Sequence, residues 1–195
     1  MPWKIDMDTR LDTPFWRFSL AVYARDGVAA ACRSLQDRHQ LDVNLLLLCV
    51  WAGHDGIALP RGEIARLSDR VADWRVSVVR PLRGVRQWLK QQAAAPADLA
   101  EDLRGSVKDI ELAAERLQQA MLYGALPAGT DTPTGVPGPR LATANLSAYF
   151  GWLSREPGVA DAADLAELLT AAFGETLRPL DAVWLLQDAG DALPA

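Results

Sequence analysis

Five cations on one predicted helix are the side chains of this sequence best placed to hold a ligand. Arg75, Arg80, Arg83, Arg86 and Lys90 lie in a stretch with no acidic residue between Trp74 and Gln92. At roughly 100° per residue they fall across an arc of about 140° on a helix. Charges gathered in this way can grip a phosphorylated small molecule or the acidic surface of a protein partner. A structural reading stands beside that one. If the helix turns back near Ala94 into an antiparallel partner, Arg75 comes level with Glu115 and Arg80 with Glu111. Two Arg–Glu pairs would then neutralise much of the stripe. The candidate ligand or partner site is therefore Arg75, Arg80, Arg83, Arg86, Lys90, Glu111 and Glu115, and the sequence leaves both readings open.

Three other groups invite chemistry. His39 and His54, the only histidines, lie near Cys32 and Cys49, the only cysteines. Their separations of seven and five residues do not suit a zinc pair. Both thiols fall on apolar helical stripes, where a thiolate nucleophile would be suppressed. Gln36, Asp37, Arg38 and Asn44 are expected to fix a turn or bridge to a neighbouring helix. Asp98, Glu101 and Asp102, in "DLAED", share a helix face and resemble the magnesium-binding motif of helical prenyl-transferring synthases. The second motif such enzymes need is incomplete in "DRVAD" (Asp69, Asp73), and acidic residues in a first helical turn are explained by the helix dipole. No catalytic residue, metal site or cofactor is expected.

The elements that must carry these residues read as helices throughout, so the fold class is all-α. Thr13-Pro14 is an N-cap followed by proline at the first helical position. Asp26 is placed to cap the next helix. Asp42 caps the segment "VNLLLLCVWA", which has no polar face and must be a hub wrapped by other helices. From Ile64 to Leu89 apolar residues recur at close to 3.5-residue spacing, and Pro81 predicts a kink or short break near Ser77 to Pro81. Leu99, Leu103, Ile110, Ala114, Leu117 and Met121 carry the facing helix to Gly124, completing a long antiparallel hairpin. Pro127 to Pro139 is a loop, expected to be exposed and mobile. Two helices follow near Thr143–Ser154 and Val159–Phe173, and a short one is expected around Asp181–Gln187. The expectation is one domain spanning 1–195, a bundle of six or seven helices with its core at 13–173, the loop at 127–139 and a tail at 174–195.

The 195 residues are half apolar and carry a net charge of −5. That charge is uneven: residues 59–92 hold eight basic and three acidic side chains, while 98–195 hold six basic and fifteen acidic. Overall acidity disfavours nucleic acid, where phosphate contacts dominate affinity. No apolar run is long enough for a membrane span, no signal peptide is evident, and reduced thiols suit the cytoplasm.

The segments "FWRFSLAVYARDGVAAACRSLQDRHQLDVNLLLLCVW", "WRVSVVRPLRGVRQWLK", "IELAAERLQQAML" and "NLSAYF" resemble a bacterial domain-of-unknown-function family, found mostly in proteobacteria. The resemblance runs from Phe15 to about Phe150. It implies a small, helical, intracellular protein and carries no activity with it. Function is therefore read from the residues as a non-enzymatic binding or adaptor protein using the basic helix face. The alternative is an enzyme or sensor for a small phosphorylated or diphosphate-containing ligand held between the long helices. Partners follow accordingly: a protein or a small anion.

Overall fold

The computed structural model describes residues 11–91, 96–127, 134–174 and 178. The described residues are helical, with no strand among them. Helices run in the order α1 (Pro14–Tyr23), α2 (Val28–His39), α3 (Val43–His54), α4 (Arg61–Trp74), α5 (Arg80–Leu89), α6 (Ala97–Gly124), α7 (Pro139–Trp152) and α8 (Ala162–Phe173). A π-helical turn, Arg75–Val79, links α4 to α5, and a 3-10 turn, Val159–Asp161, leads into α8. The chain divides into two compact units, Met1–Trp16 with Asp69–Ala125, and Arg17–Ser68 with Leu126–Ala195.

In the second unit α3 is the hub its composition demands: every residue from Asn44 to Gly53 is buried. Asp42 caps it, its side chain accepting a hydrogen bond from Asn44 N–H at 2.9 Å. Gly56 ends it at φ 80°, allowing Ile57 N–H to reach back to Ala52 O at 2.7 Å, the left-handed closure that glycine favours. Helices α7, α8 and α2 pack around it. Tyr149 of α7 ties the start of α3, its hydroxyl accepting from Asp42 N–H at 2.7 Å and donating to Asp42 O at 3.2 Å.

Two local expectations differ from the structure. Helix α2 starts at Val28 with Gly27, φ 81°, at its N-cap, so Asp26 does not cap it. Part of the Pro/Gly loop is tied down: Thr134 and Gly135 N–H both donate to Gly56 O at 2.9 Å, and Gly138 N–H to Gly53 O at 2.9 Å. Carbonyls left open at a helix C-terminus need donors, and the loop supplies one to Gly53 of α3 and two to Gly56 just beyond it. The helix expected around Asp181–Gln187 lies outside the described residues.

In the first unit α5 packs on α6 as an antiparallel hairpin. Pro81 has no N–H to give the preceding turn, and its ring would crowd the carbonyl four residues back. The helix widens instead: Arg80 N–H bonds to Arg75 O, five residues back, and the break expected at Ser77–Pro81 takes the form of a π turn. Thr13 Oγ1 accepts from Trp16 N–H at 3.0 Å, and Arg116 lies over the Trp16 ring, 5.6 Å from its centroid.

Candidate functional site

The hairpin of α5 and α6 carries all seven candidate residues except Arg75, which opens the π turn. Glu111, buried in α6, is gripped from α5 by two guanidinium groups. Arg83 Nε donates to its Oε1 at 3.2 Å, Arg86 Nη2 to the same oxygen at 3.2 Å, and Arg86 Nε to Oε2. Arg83 Nη2 also donates to Glu115 at 2.8 Å. Burial alone would lower the Arg83 guanidinium, but Glu115 and Glu111 outweigh it and hold its pKa above the ordinary value. The hydrogen bonds that Arg86 donates to Glu111 do the same for Arg86. Both cations are thus committed within the hairpin.

Across the hairpin Glu111 meets Arg83 and Arg86, and Glu115 meets Arg83. Side chains on a helix lean toward its N-terminus. In an antiparallel pair the two leans are opposed, so an arginine on α5 reaches toward the open end of the hairpin and a glutamate on α6 toward the closed end. Arg80 and Lys90 are exposed.

The second outcome concerns the apolar face of α6. The stripe buried in this helix is Val107, Glu111, Ala114, Gln118 and Leu122, with Gln119 buried beside it. Leu99, Leu103 and Ile110, which share a stripe rotated by about 80° from it at 100° per residue, are 61%, 53% and 41% exposed. Val85 of α5 is 47% exposed and lies about 100–160° round its helix from Arg86 and Arg83, and Trp88 is 60% exposed. Contiguous apolar exposure of this kind marks a contact surface. The seam spacing was legible in the sequence; that it stays open was not.

Among the described residues no group of three or more His, Cys, Asp or Glu side chains is arranged to hold a metal ion. In the acidic motif at the start of α6, Glu101 pairs with Arg104 of its own helix. His54 lies between Phe18 and Phe173, with ring centroids 5.3 and 6.0 Å away. Cys32 and Cys49 are buried free thiols.

Two clusters in the second unit go beyond the sequence reading, which has Arg38 bridging to a neighbouring helix but names no partner for it. Arg38 and His39, ending α2, both reach Asp161: Arg38 Nε at 2.7 Å and His39 Nε2 at 2.9 Å, while Gly158 N–H donates to the other oxygen at 2.8 Å. Arg38 also pairs with Asp164. Asn145 of α7, fully buried, accepts from Leu59 N–H at 2.7 Å and donates to Ile57 O at 2.9 Å and Cys49 O at 3.2 Å. Every polar atom of that side chain is used in holding backbone, which makes it an architectural residue.

No helix among the described residues is long and apolar enough to cross a membrane. No curated protein and no solved structure matches the chain. The model of a family described as a protein of unknown function, DUF2390, matches residues 14–122, from α1 through most of α6. That span is more than half of the 195 residues, and the chain belongs to this family.

Proposed function

We propose that this chain is a protein-binding module of the cytoplasm, and that its contact surface is the α5–α6 hairpin. The carrying observation is the exposure of Leu99, Leu103 and Ile110 along one face of α6, and of Val85 on α5, in a hairpin whose interior is ion-paired. Fully burying such a side chain is worth about 1.5–3 kcal/mol; these are roughly half exposed, so burial against a partner would recover about half of that for each. The basic stripe contributes in a reduced form. Arg83 and Arg86 fix the two helices against each other, and the exposed Arg80 and Lys90 stay available to an acidic group on the partner. The acidic net charge of −5 argues against nucleic acid, and two buried thiols without a disulfide suit a reducing compartment.

A photo-crosslinking residue at Leu103, with the same residue at Arg66 as control, tests this in the native cell. Adducts concentrated at Leu103 are expected. Equal yields at both positions would overturn the reading.

A further inference from the structure

We propose that the occupant of the hairpin face is an amphipathic helix of another protein, with a basic edge beside its apolar stripe; this rests on the docking surface argued above. The face is bordered on α6 by Asp98, Asp102 and Asp109, all exposed. At 100° per residue these three fall within an arc of about 40°, immediately outside the stripe of Leu99, Leu103 and Ile110. Among the described residues they form no ion pair. The cations nearest in sequence lie elsewhere on the helix: Arg104 points back to Glu101, and the exposed Lys108 stands about 80–120° round the helix from the three aspartates.

A second copy of this chain answers the apolar stripe but not the acidic border. Two α6 helices laid together would bring like charges into contact. On the α5 edge Arg83 and Arg86 are turned into the hairpin toward Glu111, so a second copy could offer that border only Arg80 and Lys90. An antiparallel pair of helices with an apolar stripe along one side offers a surface that suits a third helix, read through anchors at i, i+3 or i+4 and i+7. Lys or Arg along one side of that helix would lie against Asp98, Asp102 and Asp109, adding on-rate and orientation to the apolar contact.

The test uses the whole chain and two synthetic amphipathic helices of about five turns, with identical leucine faces and either lysine or glutamate along the edge. Calorimetric titration should show binding of the lysine peptide alone. The triple variant Asp98→Asn/Asp102→Asn/Asp109→Asn should weaken it about tenfold with unchanged thermal stability, and added salt should do the same. Equal binding of both peptides, or undiminished binding by the triple variant, overturns the basic-edged partner; if Leu103→Asp still abolishes that binding, the docking face stands. If neither peptide binds and the chain self-associates in a manner lost in Leu103→Asp, the occupant is a second copy and the partner chemistry falls alone. If neither peptide binds and Leu103→Asp changes nothing in sedimentation, both readings fall together.

Discussion

Gly53 of α3 lies so close to Ala142 of α7 that a Cβ on it would stand 2.3 Å from both the backbone nitrogen and the Cα of Ala142. The atoms it would strike are backbone, inside a helix, and cannot step aside as a flexible side chain would. Gly53→Ala should therefore push α7 away from the hub and lower stability by about 3 kcal/mol, at the upper end for overpacking a core. Urea denaturation measures it. A loss below ~1 kcal/mol would show that the crossing of the two helices has slack.

Asn145 should be nearly as sensitive. Asn145→Ala removes the acceptor for Leu59 N–H and the donor for two carbonyls, all in buried surroundings. Each orphaned group costs about 1–3 kcal/mol, so a total near 3 kcal/mol is expected if water partly enters. Asn145→Asp keeps the acceptor but turns a negative oxygen toward Ile57 O and Cys49 O, and at neutral pH it should be the worse of the two variants. Denaturant midpoints of both proteins at pH 7 decide the order.

These two residues show what could and could not be read from the chain. The α3 hub was legible because ten residues without a polar face have one soluble solution, enclosure by other helices. Thr13, Asp42 and Pro81 were legible because caps and breaks are local chemistry. Asn145 gave no signal: its partners lie 86 to 96 residues away, and nothing local marks a polar residue as buried. The partner of Arg38 gave none either, since Asp161 is 123 residues away. On α6 the apolar spacing showed which face seeks burial but not against what. Glu111 lies about 100° round the helix from Ile110, so turning Glu111 toward Arg83 and Arg86 turns Leu99, Leu103 and Ile110 outward. One ion-paired cluster thus sets the rotation of the helix and opens the face proposed for docking.

That argument makes the Glu111 cluster a target in its own right. Glu111→Ala leaves Arg83 and Arg86 close together with only Glu115 to offset them, and stability should fall by about 2 kcal/mol, discounted from a fully buried pair because both arginines are partly exposed. Replacing all three residues, Glu111 with Leu and both arginines with Met, removes the charges together and should recover most of that loss. A triple variant less stable than Glu111→Ala would mean that the cluster contributes net stability rather than orientation.

Acid should loosen the clasp at Asp161. Burial works to raise its pKa, but the Gly158 N–H, His39 and Arg38 together outweigh burial and hold the carboxyl below the ordinary aspartate value. A depressed folded-state pKa gives stability that is present above the unfolded value, about 3.9. It is lost as pH falls through the lower folded value. The stability difference between the parent chain and Asp161→Asn should be constant from pH 7 to about 5 and then shrink as pH drops below about 4. Parallel denaturation curves across that range test it, and a difference that grows on acidification would contradict the assignment.

The two cysteines give a probe of opening. Burial pushes the Cys32 thiol up to about 12, with Asp164 adding to the effect, and burial pushes Cys49 up as well. A thiol held far above its ordinary range is almost wholly protonated at pH 8 and cannot attack a disulfide reagent, because the thiolate is the nucleophile. Cys49 is on the hub helix α3 and Cys32 on α2 beside it, both without exposed surface. Ellman's reagent should therefore find no reactive thiol in the native chain and two in guanidinium chloride. Under native conditions any slow reaction should follow the opening of this unit, with Cys49, enclosed by α7 and α8, reacting no faster than Cys32. The Gly53→Ala variant, which displaces α7, should raise the Cys49 rate more than the Cys32 rate. Equal acceleration of both would mean that the hub opens as one piece.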